Sequence, residues 1–102
     1  MRIYIAGRIS GEHGYKRKFR KAEKKIAKLG HSPMNPALLN SYPEFSYNDY
    51  MDITATMQEA CDAVFMLPGW ELSTGASREF NRALERRQKI FLSLDEIPKI
   101  AT

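Results

Sequence analysis

DAVFML, residues 62–67, decides the fold. After Asp62 it is a continuous apolar run, the pattern of a strand covered on both faces, as in a parallel sheet. It exits into PGWELSTGA, residues 68–76, a turn-rich loop. A helix is expected next, over about residues 75–87, with Ala76, Phe80, Ala83 and Leu84 on its apolar face, and then a last strand, KIFLSL, at residues 89–94. Upstream, Ser46 followed by Asp49 forms a capping-box pattern that opens a helix over residues 47–60. Before it lie a loop or irregular turn at 37–46 containing Pro43, and a short strand at 31–35 closed by Pro36.

The N-terminal third repeats the scheme. RIYIAG, residues 2–7, reads as a buried strand ending on glycine, followed by the polar loop RISGEHG at 8–14. Tyr15, Phe19, Ala22, Ile26 and Leu29 then recur at intervals of four, three, four and three, and Gly30 stops the helix they define. Four strands alternating with three helices predict a single α/β domain over residues 1–102. Its architecture is a three-layer sandwich with a short parallel sheet, Rossmann- or flavodoxin-like.

Composition agrees with one globular domain: 102 residues, 43% hydrophobic and 27% charged. The longest apolar run, residues 63–68, is far too short to span a bilayer, and Gly7 and Arg8 interrupt any signal-like segment at the N-terminus. The single cysteine, Cys61, excludes an internal disulfide and a cysteine-based zinc site. A cytoplasmic domain without membrane attachment is expected, and at this length a homo-oligomer would add to a modest core. The net charge of +4 is unevenly placed. Lys16, Arg17, Lys18, Arg20, Lys21, Lys24, Lys25 and Lys28 fall within residues 16–28 against Glu23 alone, giving +7 there and −3 elsewhere. A solvated helix face is the ordinary meaning of such a run, and contact with nucleic acid or an acidic partner is the other.

Ligands of open parallel sheets bind beyond the carboxyl ends of the strands. Two loops there, 7–14 and 69–75, are rich in Gly, Ser and Thr and lead into helices, where backbone N–H groups suit an anion. They can equally be tight turns with Ser73 or Thr74 as a helix cap, and neither carries a GxGxxG or P-loop fingerprint. Glu79 lies roughly 60° from Ala76 and 40° from Ala83, on the flank of the buried stripe. There it either pairs with Arg82 or Arg86 in solvent or points toward the sheet's carboxyl edge. Trp70 is either a hydrophobic cover or a stacking surface for a ring. His13 and His31 read as isolated surface or turn residues, and Asp62 as a turn-former.

YIAGRISG at 4–11, Asn35–Pro36, CDAVFMLPGW at 61–70 and the S-x-G-x-x-x-E of 73–79 occur in the order and spacing of one family. Over nearly its whole length the chain resembles the small nucleoside 2-deoxyribosyltransferase-like proteins of phages and bacteria. More distantly it is similar to the 2′-deoxynucleoside 5′-phosphate N-hydrolases. The resemblance implies hydrolysis or transfer at the N-glycosidic bond of a (deoxy)nucleoside 5′-monophosphate, with Glu79 as carboxylate nucleophile and Tyr4 beside it. It implies that Gly7, Arg8, Ile9, Ser10 and Gly11 contact phosphate and base, and that Ser73 holds the 5′-phosphate. Asn35, Trp70 and Gly75, within the matching motifs, join the substrate-binding set. No metal or organic cofactor is implied, and a homodimer is.

Two positions depart from the family pattern. A second carboxylate is usual eight residues before the strand-opening aspartate, and here that residue is Thr54. Asp52 is nearest, but two helical positions lie roughly 200° apart, so it faces away from the side bearing Thr54, Tyr50, Met57 and Cys61. Arg8 stands where proline is common. Three readings follow: a glycosidase or transferase, a nucleotide-binding protein with little or no catalysis, and an interaction module using the basic helix.

Overall fold

The computed structural model describes residues 1–41 and 44–100, and Pro43 of the expected loop lies outside the described residues. Four strands and three helices alternate: β1 (Arg2–Ala6), α1 (Tyr15–Lys28), β2 (Ser32–Met34), α2 (Tyr47–Glu59), β3 (Ala63–Met66), α3 (Thr74–Glu85) and β4 (Lys89–Phe91). All strand pairings are parallel, in the order β2-β1-β3-β4. The chain leaves β1 toward one edge and returns across it to β3, so the switch point lies between the carboxyl ends of β1 and β3. Ile3 pairs with Ala63 and Ala6 with Met66, and Leu67 N–H donates to the Ala6 carbonyl at 2.8 Å.

Alternation along the strands makes two cores. Ile3, Ile5, Ala63 and Phe65 face α1 and meet Phe19, Ala22 and Ile26. Tyr4, Ala6, Val64 and Met66 face the other way and meet Ala76 and Ala83 of α3. The molecule is thus a three-layer α/β sandwich. Gly7 leaves β1 where a Cβ would come within 2.8 Å of Leu67 Cδ1 and 3.2 Å of the Phe19 ring, so any larger residue there would require Leu67 and Phe19 to give way.

α1 has a glycine in the left-handed conformation at its N-cap, no side-chain cap and no acidic residue in its first turn. Its stability therefore comes from the buried stripe, each large apolar side chain contributing about 1.5–3 kcal/mol. Its C-terminus closes at Gly30, φ 93°, with Gly30 N–H donating to the Ala27 carbonyl and His31 N–H to that of Ile26. α2 opens with the expected capping box: Ser46 Oγ accepts from Asp49 N–H, and Asp49 Oδ2 accepts from Ser46 N–H.

Several local expectations change. Asn35 Oδ1 accepts from Ala37 N–H at 2.9 Å, and Pro36–Ser41 wind into a 3-10 helix instead of a loop. Part of the glycine-bearing loop, Trp70–Leu72, is also a 3-10 turn. The last strand ends at Phe91, and a further 3-10 turn, Leu94–Glu96, delivers Ile97 to the core under α1. Leu84, expected on the apolar face of α3, is 57% exposed. His31 is buried: its Nε2 hydrogen-bonds the Pro98 carbonyl at 2.6 Å, and its Nδ1 lies 2.9 Å from the Met1 amine. His13 is exposed. Asp62 accepts from Arg2 N–H at 2.8 Å and pairs with its guanidinium, a link that ties the starts of β1 and β3.

Candidate functional site

The residue that the apolar pattern passes over carries the site. α3 buries Ala76, Glu79 and Ala83, spaced three and four apart, so the carboxylate takes the place in the stripe that a leucine would usually hold. Glu79 is 7% exposed and makes no ion pair with Arg82 or Arg86, because those side chains are engaged elsewhere. Arg86 pairs with Glu59 at 2.8 Å, and Arg82 donates to Gln58 Oε1 at 3.0 Å. From the facing strand, the fully buried Tyr4 donates its hydroxyl proton to Glu79 Oε2. Burial pushes the Glu79 carboxyl up to about 7, against the opposing pull of the Tyr4 hydrogen bond and of Arg82. Burial and the neighbouring carboxylate push the Tyr4 hydroxyl well above the ordinary tyrosine range.

α2 holds this pair from behind. Gln58, wholly buried, donates from Nε2 to the Glu79 backbone carbonyl at 2.8 Å and to Gln88 Oε1 at 3.2 Å. Gln88 in turn donates to the carbonyls of Gln58 and Cys61 at 2.8 and 2.9 Å. Thr54 is also wholly buried, with its hydroxyl within hydrogen-bonding reach of the Tyr4 oxygen and 3.2 Å from the Met51 carbonyl. Asp52 is exposed. The side of α2 that faces the pair thus supplies a hydroxyl and an amide and no carboxylate.

A cavity of about 520 Å³ opens over Tyr4 and Glu79, within the usual size of a small-molecule site. Its walls come from the two loops beyond β1 and β3 and from the start of α2. Gly7, Arg8, Ile9 and Ser10 form one side, Ser73, Thr74, Gly75 and Ala76 the opposite side, and Tyr47, Tyr50 and Met51 a third. Ser73 caps α3 by accepting from Ala76 N–H at 3.1 Å, which points the first turn of the helix at the cavity. The first turn of a helix presents unpaired N–H groups and a partial positive charge, so this wall suits an anion. Arg8 is the one basic residue among the described lining residues and Glu79 the one acidic residue. Burial, with Glu79 nearby, also raises the Tyr50 hydroxyl, which donates to the Pro36 carbonyl at 3.3 Å.

The site residues named from the sequence divide accordingly. Tyr4, Gly7, Arg8, Ile9, Ser10, Ser73, Gly75 and Glu79 line one cavity, whereas the described lining does not include Gly11, Asn35 or Trp70. Trp70 stacks on Phe80 with ring centroids 4.5 Å apart, acting as a cover for α3, and the Asn35 side chain is engaged by its own turn. The sequence put Tyr50 on the side of the helix that bears Thr54, but it assigned none of Tyr47, Tyr50 and Met51 to the site. Their signal was the spacing 47, 50, 51, 54, 58, which puts them on one side of α2 with Thr54 and Gln58. Among the described residues no cluster of three or more His, Cys, Asp or Glu is placed to hold a metal ion. No helix among them is long and apolar enough to cross a membrane.

A family model described as Domain of unknown function (DUF4406) matches residues 1–92, and the chain belongs to that family. No curated protein and no solved structure matches it.

Proposed function

We propose that this member of the family cleaves or transfers the N-glycosidic bond of a (deoxy)nucleoside 5′-monophosphate, with Glu79 as nucleophile. The observation that carries the reading is the buried Tyr4–Glu79 hydrogen bond on the floor of a cavity whose wall is the first turn of α3. Tyr4 engages Oε2 and leaves Oε1 to attack C1′ of the sugar. The C1′–N bond breaks as the C1′–O bond forms, its electron pair leaves with the base, and the sugar is held as an ester of Glu79. Water or a second base then attacks C1′, its proton passing through solvent to the departed base, and frees the carboxylate. A 5′-phosphate against the amides of Thr74 and Gly75, with Arg8 opposite, fixes the sugar over the carboxylate. Exposed apolar side chains at the cavity rim, Phe45, Tyr47 and Leu72, support pairing of two copies there.

A second reading, nucleotide binding with little turnover, is favoured by one observation. Glu79 is the sole acid of the described lining, and Thr54 stands at the position of the expected second carboxylate. A proton donor for the departing base would have to come from the nucleotide's own surroundings. Loss of such an acid costs about 10²–10⁴-fold in rate.

The deciding experiment is incubation with deoxynucleoside monophosphates while following free base. Expected is slow release that rises with pH toward 7 as Glu79 ionises and falls at least about 10³-fold in Glu79→Gln. In Tyr4→Phe the same rise moves to higher pH, because the hydrogen bond that holds the carboxyl down is gone. Nucleotide binding without release supports the second reading, and neither binding nor release overturns both.

A further inference from the structure

We propose that the outer face of α1 is a docking surface for the phosphate backbone of nucleic acid, independent of the cavity. α1 is 14 residues long, about 21 Å at 1.5 Å per residue. Taking 100° per residue, Arg17, Arg20, Lys21, Lys24 and Lys28 fall within about 55° of the direction opposite the buried Phe19, Ala22 and Ile26. All five are exposed. They climb the helix as a continuous stripe, and among the described residues none of them joins an ion pair. Lys18, on the flank, is taken by Glu12. Glu23, the acid of this segment, turns toward the sheet side and is partly covered.

The placement of the charge runs against the needs of the helix. Lys16, Arg17 and Lys18 crowd the first turn, where no acidic residue and no side-chain cap offsets the partial positive charge of the N-terminus. Cations at that end are the unfavourable arrangement, and an external row of anions relieves both the dipole and the mutual repulsion of the stripe. The chemistry also selects among polyanions. Phe19, Ala22 and Ile26 are committed to the core, so the helix has no apolar face to insert into a bilayer. Its exposed side carries one apolar residue, Ala27, which is too little for the dry centre of a protein interface. A phosphate backbone needs neither and is held by cations alone.

The test is binding of a fluorescent 20-base-pair duplex of arbitrary sequence across about 50–200 mM salt. Five phosphate contacts predict that log K falls against log salt with a slope of about −4 to −5. Replacing Arg20, Lys21, Lys24 and Lys28 by Gln is expected to weaken binding at least tenfold and to bring the slope to about −1. Removing four exposed charges elsewhere, with Arg78→Gln, Arg87→Gln, Lys89→Gln and Lys99→Gln, is expected to change affinity less than about twofold. Arg17→Lys with Arg20→Lys, which keeps the charge and the helix, retains binding, and circular dichroism checks that each variant is folded. Glu79→Gln also retains binding, which separates this surface from the cavity. Equal losses from the two four-residue sets, no salt-dependent binding at 50 mM, or equal affinity for poly-glutamate or anionic vesicles overturns the proposal.

Discussion

α1 and α3 lie on opposite faces of one sheet and are built on opposite terms. The inward stripe of α1 is wholly apolar, Phe19, Ala22 and Ile26, and its cations are all outside. The stripe of α3 has the same spacing but places Glu79 at its centre, against a tyrosine from β1. α1 has no side-chain cap and ends on Gly30, whereas α3 is capped by Ser73 and ends with Arg87 in the left-handed region at φ 57°. The comparison teaches that successive residues of one strand serve different ends. Ile3 and Ile5 help anchor the fold under α1, while Tyr4 between them faces the α3 side, an apolar core in which burial raises the Glu79 carboxyl to about 7.

Three measurements break or sharpen this contrast. The largest effect belongs to α1: Phe19→Ala is expected to lower the unfolding free energy by about 3–5 kcal/mol in urea titrations. That loss is the same at pH 5 and pH 8, since no titrating group is touched. A loss below about 1 kcal/mol would show that α1 is not the anchor. Next comes the pH dependence of the α3 side. Glu79 is raised from 4.5 to about 7, so the folded state holds its proton more tightly than the unfolded chain does. Its contribution is fully present below pH 4.5 and is lost as pH rises through about 7, a decline of roughly 3 kcal/mol. Glu79→Gln is expected to remove most of that slope and to make the protein more stable than wild type at pH 8. Persistence of the slope in the variant would locate it elsewhere. The smallest effect is at the helix ends, where Arg87→Gly is expected to raise stability by about 0.5–1 kcal/mol by relieving the left-handed residue. The midpoint of thermal unfolding reads it.

Much of this was legible in the chain. The run after Asp62, the capping box at Ser46 and the interval pattern of α1 rest on local rules, and all three elements lie within a residue or two of where they were expected. The partnership of Tyr4 and Glu79 followed from resemblance, whereas the spacing alone left the carboxylate between solvent and sheet. What decides it is the committed state of Arg82 and Arg86, a tertiary fact. Leu84 misled for a related reason: hydropathy favours it for the interior, but it lies roughly 100° round the helix from the centre of the stripe formed by Ala76, Glu79 and Ala83. Tyr47 and Tyr50 could not be placed in the cavity without knowing that the crossover after β2 lays α2 across the switch point. His31 looked isolated because its partners are Met1 and Pro98, far away in sequence.

The side chain of Gln58 has a wider consequence. Both its amide hydrogens and its oxygen are in use, and they bind the carbonyl of Glu79, the tip of Gln88 and the guanidinium of Arg82 at once. That saturated amide ties α2 directly to the backbone of the residue that bears the acidic group, so the back wall of the chamber is one cross-linked unit. A guest in the chamber therefore meets the carboxylate on a cross-tied wall, while the facing rim, residues 8–14, is shaped separately by turns at Gly11 and Gly14, both with positive φ.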